Sequence, residues 1–195
     1  MRPSLIVLAG PNGAGKSTLY QTRVAPSFAG PFINADLIQR DEIKDVSMEA
    51  SYRAAEIAAE RRSALLAAGQ SFATETVFSH ASKLEIITEA KERGYIVIVM
   101  HVGVEGPDVS VARVLGRTEE GGHAVPEDKI RARYNRGQSL IRQAVLRADR
   151  GMVFDNSPLN TPPRLVLLFG SGRLVQAEAV LPAWVLAGYA EDIVI

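Results

Sequence analysis

Cysteine is absent, and histidine is limited to His80, His101 and His123 in a chain of 195 residues. Disulfides and thiolate chemistry are therefore excluded, and a zinc site built by the protein has too few ligands to draw on. An excess of either charge is also missing, since Lys plus Arg and Asp plus Glu number 22 each. Without a global field, neither nucleic acid nor an anionic membrane is expected as a partner. No apolar run approaches the ~20 residues of a membrane span. The apolar stretch at 4–9 passes straight into a glycine loop and is too short for a signal-peptide core, so a cytoplasmic location is expected. Repeats, low-complexity tracts and heptad seams do not occur. What is present is the balance of an ordinary folded protein, with 47% apolar and 23% charged residues. The length suits one domain spanning 1–195.

Apolar runs and helical spacings alternate along the chain. SLIVLA at 4–9 reads as a parallel strand buried on both faces. A helix is expected from Lys16 to about Arg23, then a short strand from Pro31 that delivers Asn34 and Asp36 to its carboxyl end. The Ala-, Glu- and Arg-rich segment from Met48 to Ala68, with Gly69 behind it, predicts a long capped helix. Ser71 to Thr76 forms the next strand, Ala81 to Arg93 an amphipathic helix closed by Gly94, and Tyr95 to Val104 the strongest strand. Helices follow at 107–117 and, opening with Pro126, to about Arg150, which together predict a helical, lid-like segment at about 107–149. Strands at 152–155 and 164–169, a weaker one at 173–176 and a terminal helix near 182–189 complete the pattern.

The phosphate-loop motif G-x-x-x-x-G-K-[ST] is complete at Gly10, Pro11, Asn12, Gly13, Ala14, Gly15, Lys16 and Ser17, followed by Thr18. It lies between a predicted strand and a predicted helix, the context that gives the motif its meaning. Its glycines let successive N–H groups curl around a β-phosphate, Lys16 reaches the β and γ oxygens, and Ser17 offers a hydroxyl to Mg²⁺. ATP and Mg²⁺ are the cofactors implied. The fold class that follows is α/β, a three-layer P-loop NTPase/kinase fold with a mainly parallel sheet of five to six strands. Ligands then collect at the carboxyl ends of the strands.

The same loop wording occurs in transport ATPases, but an LSGGQ-type signature and an apolar strand ending in Asp-Glu are missing, as is the guanine-reading NKxD. Phosphoryl transfer to a small-molecule acceptor remains. Such a kinase needs a base for the acceptor hydroxyl, and Asp36, twenty residues after Lys16, is placed for it. Asp36 can equally cap the following helix. Glu75 and Thr76 end a strand, where Glu75 can hold a substrate hydroxyl or a Mg²⁺-bound water, or be a solvated strand end. Arg113 and Arg117 lie a helical turn apart, and Arg131, Arg133 and Arg136 follow a Gly-Gly hinge. Arginines on a mobile helical lid neutralise a migrating phosphoryl group; on other helices they are simply solvated. Arg113 and Arg117 are the first choices. His123 is a candidate phosphate contact in the loop between the two helices, and the loop after Asp155-Asn156-Ser157 a candidate neighbour of adenine.

In order along the chain, GPNGAGKST at 10–18, FINAD at 32–36, FATET with Ser79, RVLGRTEEGGHAVP at 113–126, IRARY at 130–134 and FDNS at 154–157 resemble the small branch of the zeta toxin family of phosphate-loop kinases. The resemblance implies ATP-dependent phosphorylation of the 3′-hydroxyl of UDP-N-acetylglucosamine or a related UDP-amino sugar, which blocks cell-wall precursor synthesis. It implies Asp36 as base, Lys16 and Ser17 as phosphate and Mg²⁺ ligands, Asn34 and Glu75 at the substrate, and Arg113 beside the transferred phosphate. The second arginine of the longer toxins has no clean counterpart: His123 falls near its place, with Arg117 or Arg131 as substitutes. An antitoxin partner is implied by the family alone. Other small-molecule kinases, acting on an antibiotic or a nucleoside monophosphate, and a slow ATP-hydrolysing regulatory module are the alternative readings.

Overall fold

The computed structural model describes residues 2–119 and 126–193. In chain order these form β1 (Ser4–Ala9), α1 (Lys16–Leu19) running on through a π-helical turn (Tyr20–Val24), β2 (Phe32–Ile33), and α2 (Ala35–Ile38) with a second π-helical turn (Gln39–Ile43). Next come α3 (Met48–Ala67), β3 (Phe72–Thr76), a 3₁₀ turn (Ala81–Leu84) opening α4 (Glu85–Glu92), and β4 (Ile96–Gly103). The second half holds α5 (Gly106–Glu119), α6 (Glu127–Arg147), β5 (Arg150–Asp155), β6 (Arg164–Gly170), β7 (Arg173–Ala177) and α7 (Ala183–Tyr189). No helix among the described residues is long and apolar enough to cross a membrane.

The strands form one sheet in the order β2-β3-β1-β4-β5-β6-β7. The first five are parallel and the last two antiparallel. Seven strands are thus one or two more than the pattern predicted. The extra antiparallel pair arises because Ser171 and Gly172, both at positive φ (48° and 79°), make the two-residue turn that returns β6 directly as β7. A tight hairpin needs no crossover helix, so the alternation that implies a parallel sheet stops at β5.

β1 is central and buried on both faces, as its unbroken apolar run requires. Leu5, Val7 and Ala9 pack with Ala54 and Ala58 of α3, Ile87 of α4, Ile141 and Val145 of α6 and Val185 of α7. Ile6 and Leu8 face the opposite layer, with Leu19 and Tyr20 following the phosphate loop. Tyr20 stacks on Phe32 with ring centroids 3.7 Å apart, which ties α1 to β2. The second half of α6 is therefore a layer of the core, and Tyr134 holds its first half over the sheet edge: its hydroxyl donates to Val104 O and accepts from Gly106 N.

The predicted strand at 31–36 is cut short at Ile33. Asn34 accepts hydrogen bonds from the Asp36 and Leu37 N–H groups and so caps α2, turning the chain out of the sheet. Asp36 is consequently a first-turn helix residue, and Asn34 is the cap. The helix expected to reach Arg150 ends at Arg147, where Ala148 turns extended and Arg150 opens β5.

α7 closes the far side. Arg142 of α6 binds both Asp192 oxygens (2.6 and 2.9 Å) and Glu191, fixing the end of the described chain. Beneath α7, His101 of β4 is fully buried and shares a 2.8 Å hydrogen bond with Tyr189. Burial lowers the His101 pKa to about 3, so the ring is neutral in the folded protein. Because the unfolded chain takes up this proton near pH 6.5 and the folded chain does not, stability falls as pH drops through the window from about 6.5 to 3. The expected loss from His101 between pH 7 and pH 5 is about 2 kcal/mol. Urea midpoints at the two pH values, compared with those of His101→Gln, measure it.

Candidate functional site

Parallel pairing brings the carboxyl ends of β1, β2, β3, β4 and β5 to one edge of the sheet. Leu8 pairs with Glu75, Ile33 with Thr74 and Gly103 with Asp155, so the residues that follow these strands converge. The loop after β1 can run there only without side chains at three points: Gly10, Gly13, where φ is 74° and a Cβ would stand 2.9 Å from Ser110 O, and Gly15. A Cβ at Gly10 would stand 2.1 Å from Val102 O, and one at Gly15, already at φ 90°, 2.4 Å from Asn156 Nδ2. Asn156 in turn donates to Ala14 O at 2.8 Å, bracing the loop from the β5 side.

Glu75 sits at the centre of this edge. One of its oxygens accepts from Ser17 Oγ at 2.8 Å and from Asn34 Nδ2 at 2.9 Å; the other lies 3.6 Å from Lys16 Nζ. Lys16, 6% exposed, also donates to Pro11 O at 3.0 Å. The ammonium is thus almost removed from water with one carboxylate and one carbonyl as partners, an arrangement whose desolvation cost is met only while both remain. Asn34 uses both ends of its amide, the oxygen on α2 and the nitrogen on Glu75. The helix carrying Asp36 is therefore indexed to the phosphate loop through a single carboxylate. Asp36 itself is exposed on the first turn of α2.

The segment leaving β3 is also constrained. Thr76 Oγ1 accepts from Phe78 N at 3.1 Å, and Phe78, fully buried, takes φ 53°, uncommon for a bulky residue. Gly137 of α6 packs on this segment, its Cβ position 3.3 Å from Val77 O. Arg133 lies one turn earlier on the same helix face. It is half-buried and makes no hydrogen bond or ion pair with a described residue.

On the other side of the phosphate loop is a cavity of about 390 Å³, lined by Thr18 and Thr22 from below, Arg113 from α5, and Asn156, Leu159 and Pro163 from the segment after β5. Arg113 donates to Ser157 O and Pro158 O (3.1 and 3.3 Å) and forms one wall.

The zeta toxin family model matches residues 1–159, most of the chain. The chain belongs to the zeta toxin family. An uncharacterized protein of Haemophilus influenzae is 30% identical over 143 residues, 69% of this chain and 94% of that protein. Among solved structures, AvrRxo1-ORF1:-ORF2 with ATP superposes with a TM-score of 0.65 at 16% identity, covering 89% of this chain and 60% of that one. The PezAT chromosomal toxin–antitoxin system of Streptococcus pneumoniae gives a TM-score of 0.58 at 18% identity, over 80% and 69% of the two chains. At such identities the two structures establish a shared fold. This zeta toxin family member spans less than two thirds of the AvrRxo1 chain.

Within this family member the predicted site residues separate into groups. Gly10 to Thr18, Asn34, Asp36, Glu75 and Thr76 share the strand-end edge. Arg113 meets the phosphate loop from α5, its Cβ 3.2 Å from where a Cβ on Gly13 would stand, and its side chain forms a wall of the 390 Å³ cavity that Thr18 also lines. Arg131 binds Asp108 (2.6 Å) and Glu127 (2.8 Å), so its charge joins α5 to α6. The Arg117 side chain and His123 lie outside the described residues. Thr22, Leu159 and Pro163 line the cavity and carry no motif; only the proline cluster after β5 marks the place. Asn34→Ala is expected to lower stability by about 1 kcal/mol, the usual worth of a helix cap. Asn34→Ser should recover most of that loss in thermal denaturation, because a hydroxyl caps as well but is too short to reach Glu75.

Proposed function

We propose that the protein is an ATP-dependent kinase that phosphorylates a hydroxyl of a small molecule, and that the acceptor is the 3′-hydroxyl of UDP-N-acetylglucosamine or a related UDP-amino sugar. The observation that carries the kinase reading is Glu75, whose carboxylate joins Ser17 and Lys16 of the phosphate loop to the cap of the helix bearing Asp36. The UDP-amino sugar rests on family membership, and so does a cognate antitoxin as partner, supported by the likeness to PezAT. The 195 residues act as one kinase domain, with α5 and the first half of α6 as its lid.

ATP lies with its triphosphate on the Gly10–Ser17 loop, whose N–H groups and helix start favour phosphate oxygens. Lys16 exchanges its contact with Pro11 O for the β and γ oxygens. The cavity between Thr22, Arg113 and Leu159 takes the adenosine end. Ser17 Oγ and the Glu75 carboxylate, 2.8 Å apart, are the hard oxygens that would hold Mg²⁺, which needs few protein ligands beside phosphate and water. Such an ion would offset the negative charge of the phosphates.

The acceptor enters between α2 and the end of β3. Asp36 takes the acceptor hydroxyl proton as the oxygen attacks the γ-phosphorus and the bond to the ADP oxygen breaks. Arg133, the half-buried guanidinium on the Gly137 face of α6, supplies the lid charge that Arg131 has already committed to Asp108 and Glu127.

Incubation with Mg·ATP and UDP-N-acetylglucosamine is expected to give ADP and a 3′-phosphorylated sugar nucleotide. Asp36→Asn should lower the rate by roughly 10²–10⁴-fold with ATP binding unchanged. Transfer to another acceptor but not this one overturns the substrate; no acceptor-stimulated ATP consumption, with Asp36→Asn keeping the basal rate, overturns the kinase. Arg133→Lys is expected to lower kcat by about a hundredfold with the KM for ATP nearly unchanged, whereas Arg131→Lys alters kcat by less than about threefold, the scale of an exposed ion pair.

A further inference from the structure

We infer that α7 is a positioning element of the nucleotide site, and that Trp184 sets the base-side loop through Asp155. The inference rests on the nucleotide reading above and extends it to a segment beyond the 1–159 region that the family model matches. Trp184 is the chain's one tryptophan and is 7% exposed. Its indole lies flat over Gly103 near the end of β4: a Cβ there would stand 2.3 Å from the ring. The bare backbone of Gly103 therefore admits the indole, and His101 meets its side edge-on with centroids 5.2 Å apart. So placed, Trp184 Nε1 donates to Asp155 Oδ1 at 2.9 Å in the protein interior.

Asp155 ends β5 and is 5% exposed. Its Oδ1 accepts from the Ser157 N–H and hydroxyl as well as from Trp184, and no described cation pairs with it. Donors that share one carboxylate oxygen compete for it, so loss of one changes how tightly it holds the others. Ser157 transmits the setting outward. Its hydroxyl accepts from Glu105 N at 2.9 Å, and its carbonyl, with that of Pro158, holds Arg113 in the cavity wall. Between them Asn156 reaches the phosphate loop at Ala14 O. An unbroken series of hydrogen bonds thus runs from α7 to both walls of the adenosine cavity. The series meets the phosphate loop at the Ala14 carbonyl alone; the side chains that grip the triphosphate, Lys16, Ser17 and Glu75, lie outside it.

The test is equilibrium binding of ATP and of inorganic tripolyphosphate by calorimetry, with Mg²⁺ present, on wild type, Trp184→Phe, Asp155→Asn and Tyr189→Phe. Trp184→Phe keeps a ring over Gly103 and removes the donor; Tyr189→Phe loosens the same helix by removing its bond to His101, which packs on the indole but makes no hydrogen bond to Asp155 or the loop. ATP is expected to bind about tenfold more weakly to Trp184→Phe and Asp155→Asn, with tripolyphosphate affinity within twofold of wild type. Tyr189→Phe should bind both as wild type does, although thermal denaturation shows a comparable drop in Tm. Unchanged ATP affinity in folded Trp184→Phe overturns the inference and leaves the kinase reading standing. Equal weakening of ATP and tripolyphosphate, or equal weakening in Tyr189→Phe, overturns it too, since either marks general loosening. If wild type binds no ATP, the nucleotide reading falls and takes this inference with it.

Discussion

The Glu75 carboxylate binds donors from two distant parts of the chain: the ammonium and hydroxyl of the phosphate loop and the amide of Asn34. Each partner needs it for a different reason. Lys16 is nearly out of water, and Glu75 is the carboxylate that faces its ammonium, with Pro11 O as its other acceptor. Asn34 must point its oxygen at α2 to cap it, and the bond from its nitrogen to Glu75 fixes that orientation of the amide. Three donors on one carboxylate turn the relative position of β1, β2 and β3 into a fixed geometry at their ends.

On the proposed reading the site divides at the phosphate loop. The acceptor side is ordered by Glu75 and its charges; the base side is ordered by Asp155, another carboxylate at a strand end, surrounded by neutral donors. The difference matters for chemistry. Charge in transit belongs where Lys16 and Arg133 can answer it, while the adenosine end needs shape and a few hydrogen bonds. Arg113 fits this division, since its guanidinium is engaged with two carbonyls on the base side.

The strands and the phosphate loop were legible because their signals are local: an apolar run, a glycine pattern and a helical spacing each act within a few residues. What sets Glu75 beside Ser17 is the pairing of β3 with β1, a strand order that local signals do not specify. Asn34 was legible as a strand-end residue but not as the cap, because Asn and Asp two residues apart are both good caps and only the observed hydrogen bonds choose between them. The arginines were the hardest to separate. All five sit on helices with similar spacing, and what distinguishes Arg131 from Arg133 is that Asp108 on α5 reaches the first, while the second shares its helix face with Gly137, which packs on the segment leaving β3. Both are tertiary facts. The β6–β7 hairpin was half-visible, as a weak strand whose direction depended on a Ser-Gly turn adopting two positive φ values.

Trp184 is the clearest case of function-bearing structure with no sequence signal. A tryptophan near the end of a chain reads as packing, and the family motifs finish before it. Its meaning comes from two residues more than twenty-five positions upstream: a glycine in β4 that leaves room for the ring, and an aspartate in β5 that needs a donor. If α7 were absent, Gly103 would expose a groove beside β4, and Asp155 would lose a donor and the indole that covers it. Water would then reach the carboxylate and compete for the lone pairs that Ser157 now fills. The strand-end loop is thus stable in this conformation only with the helix in place. The region matched by the family model carries the phosphate chemistry, but it does not contain everything that buries Asp155.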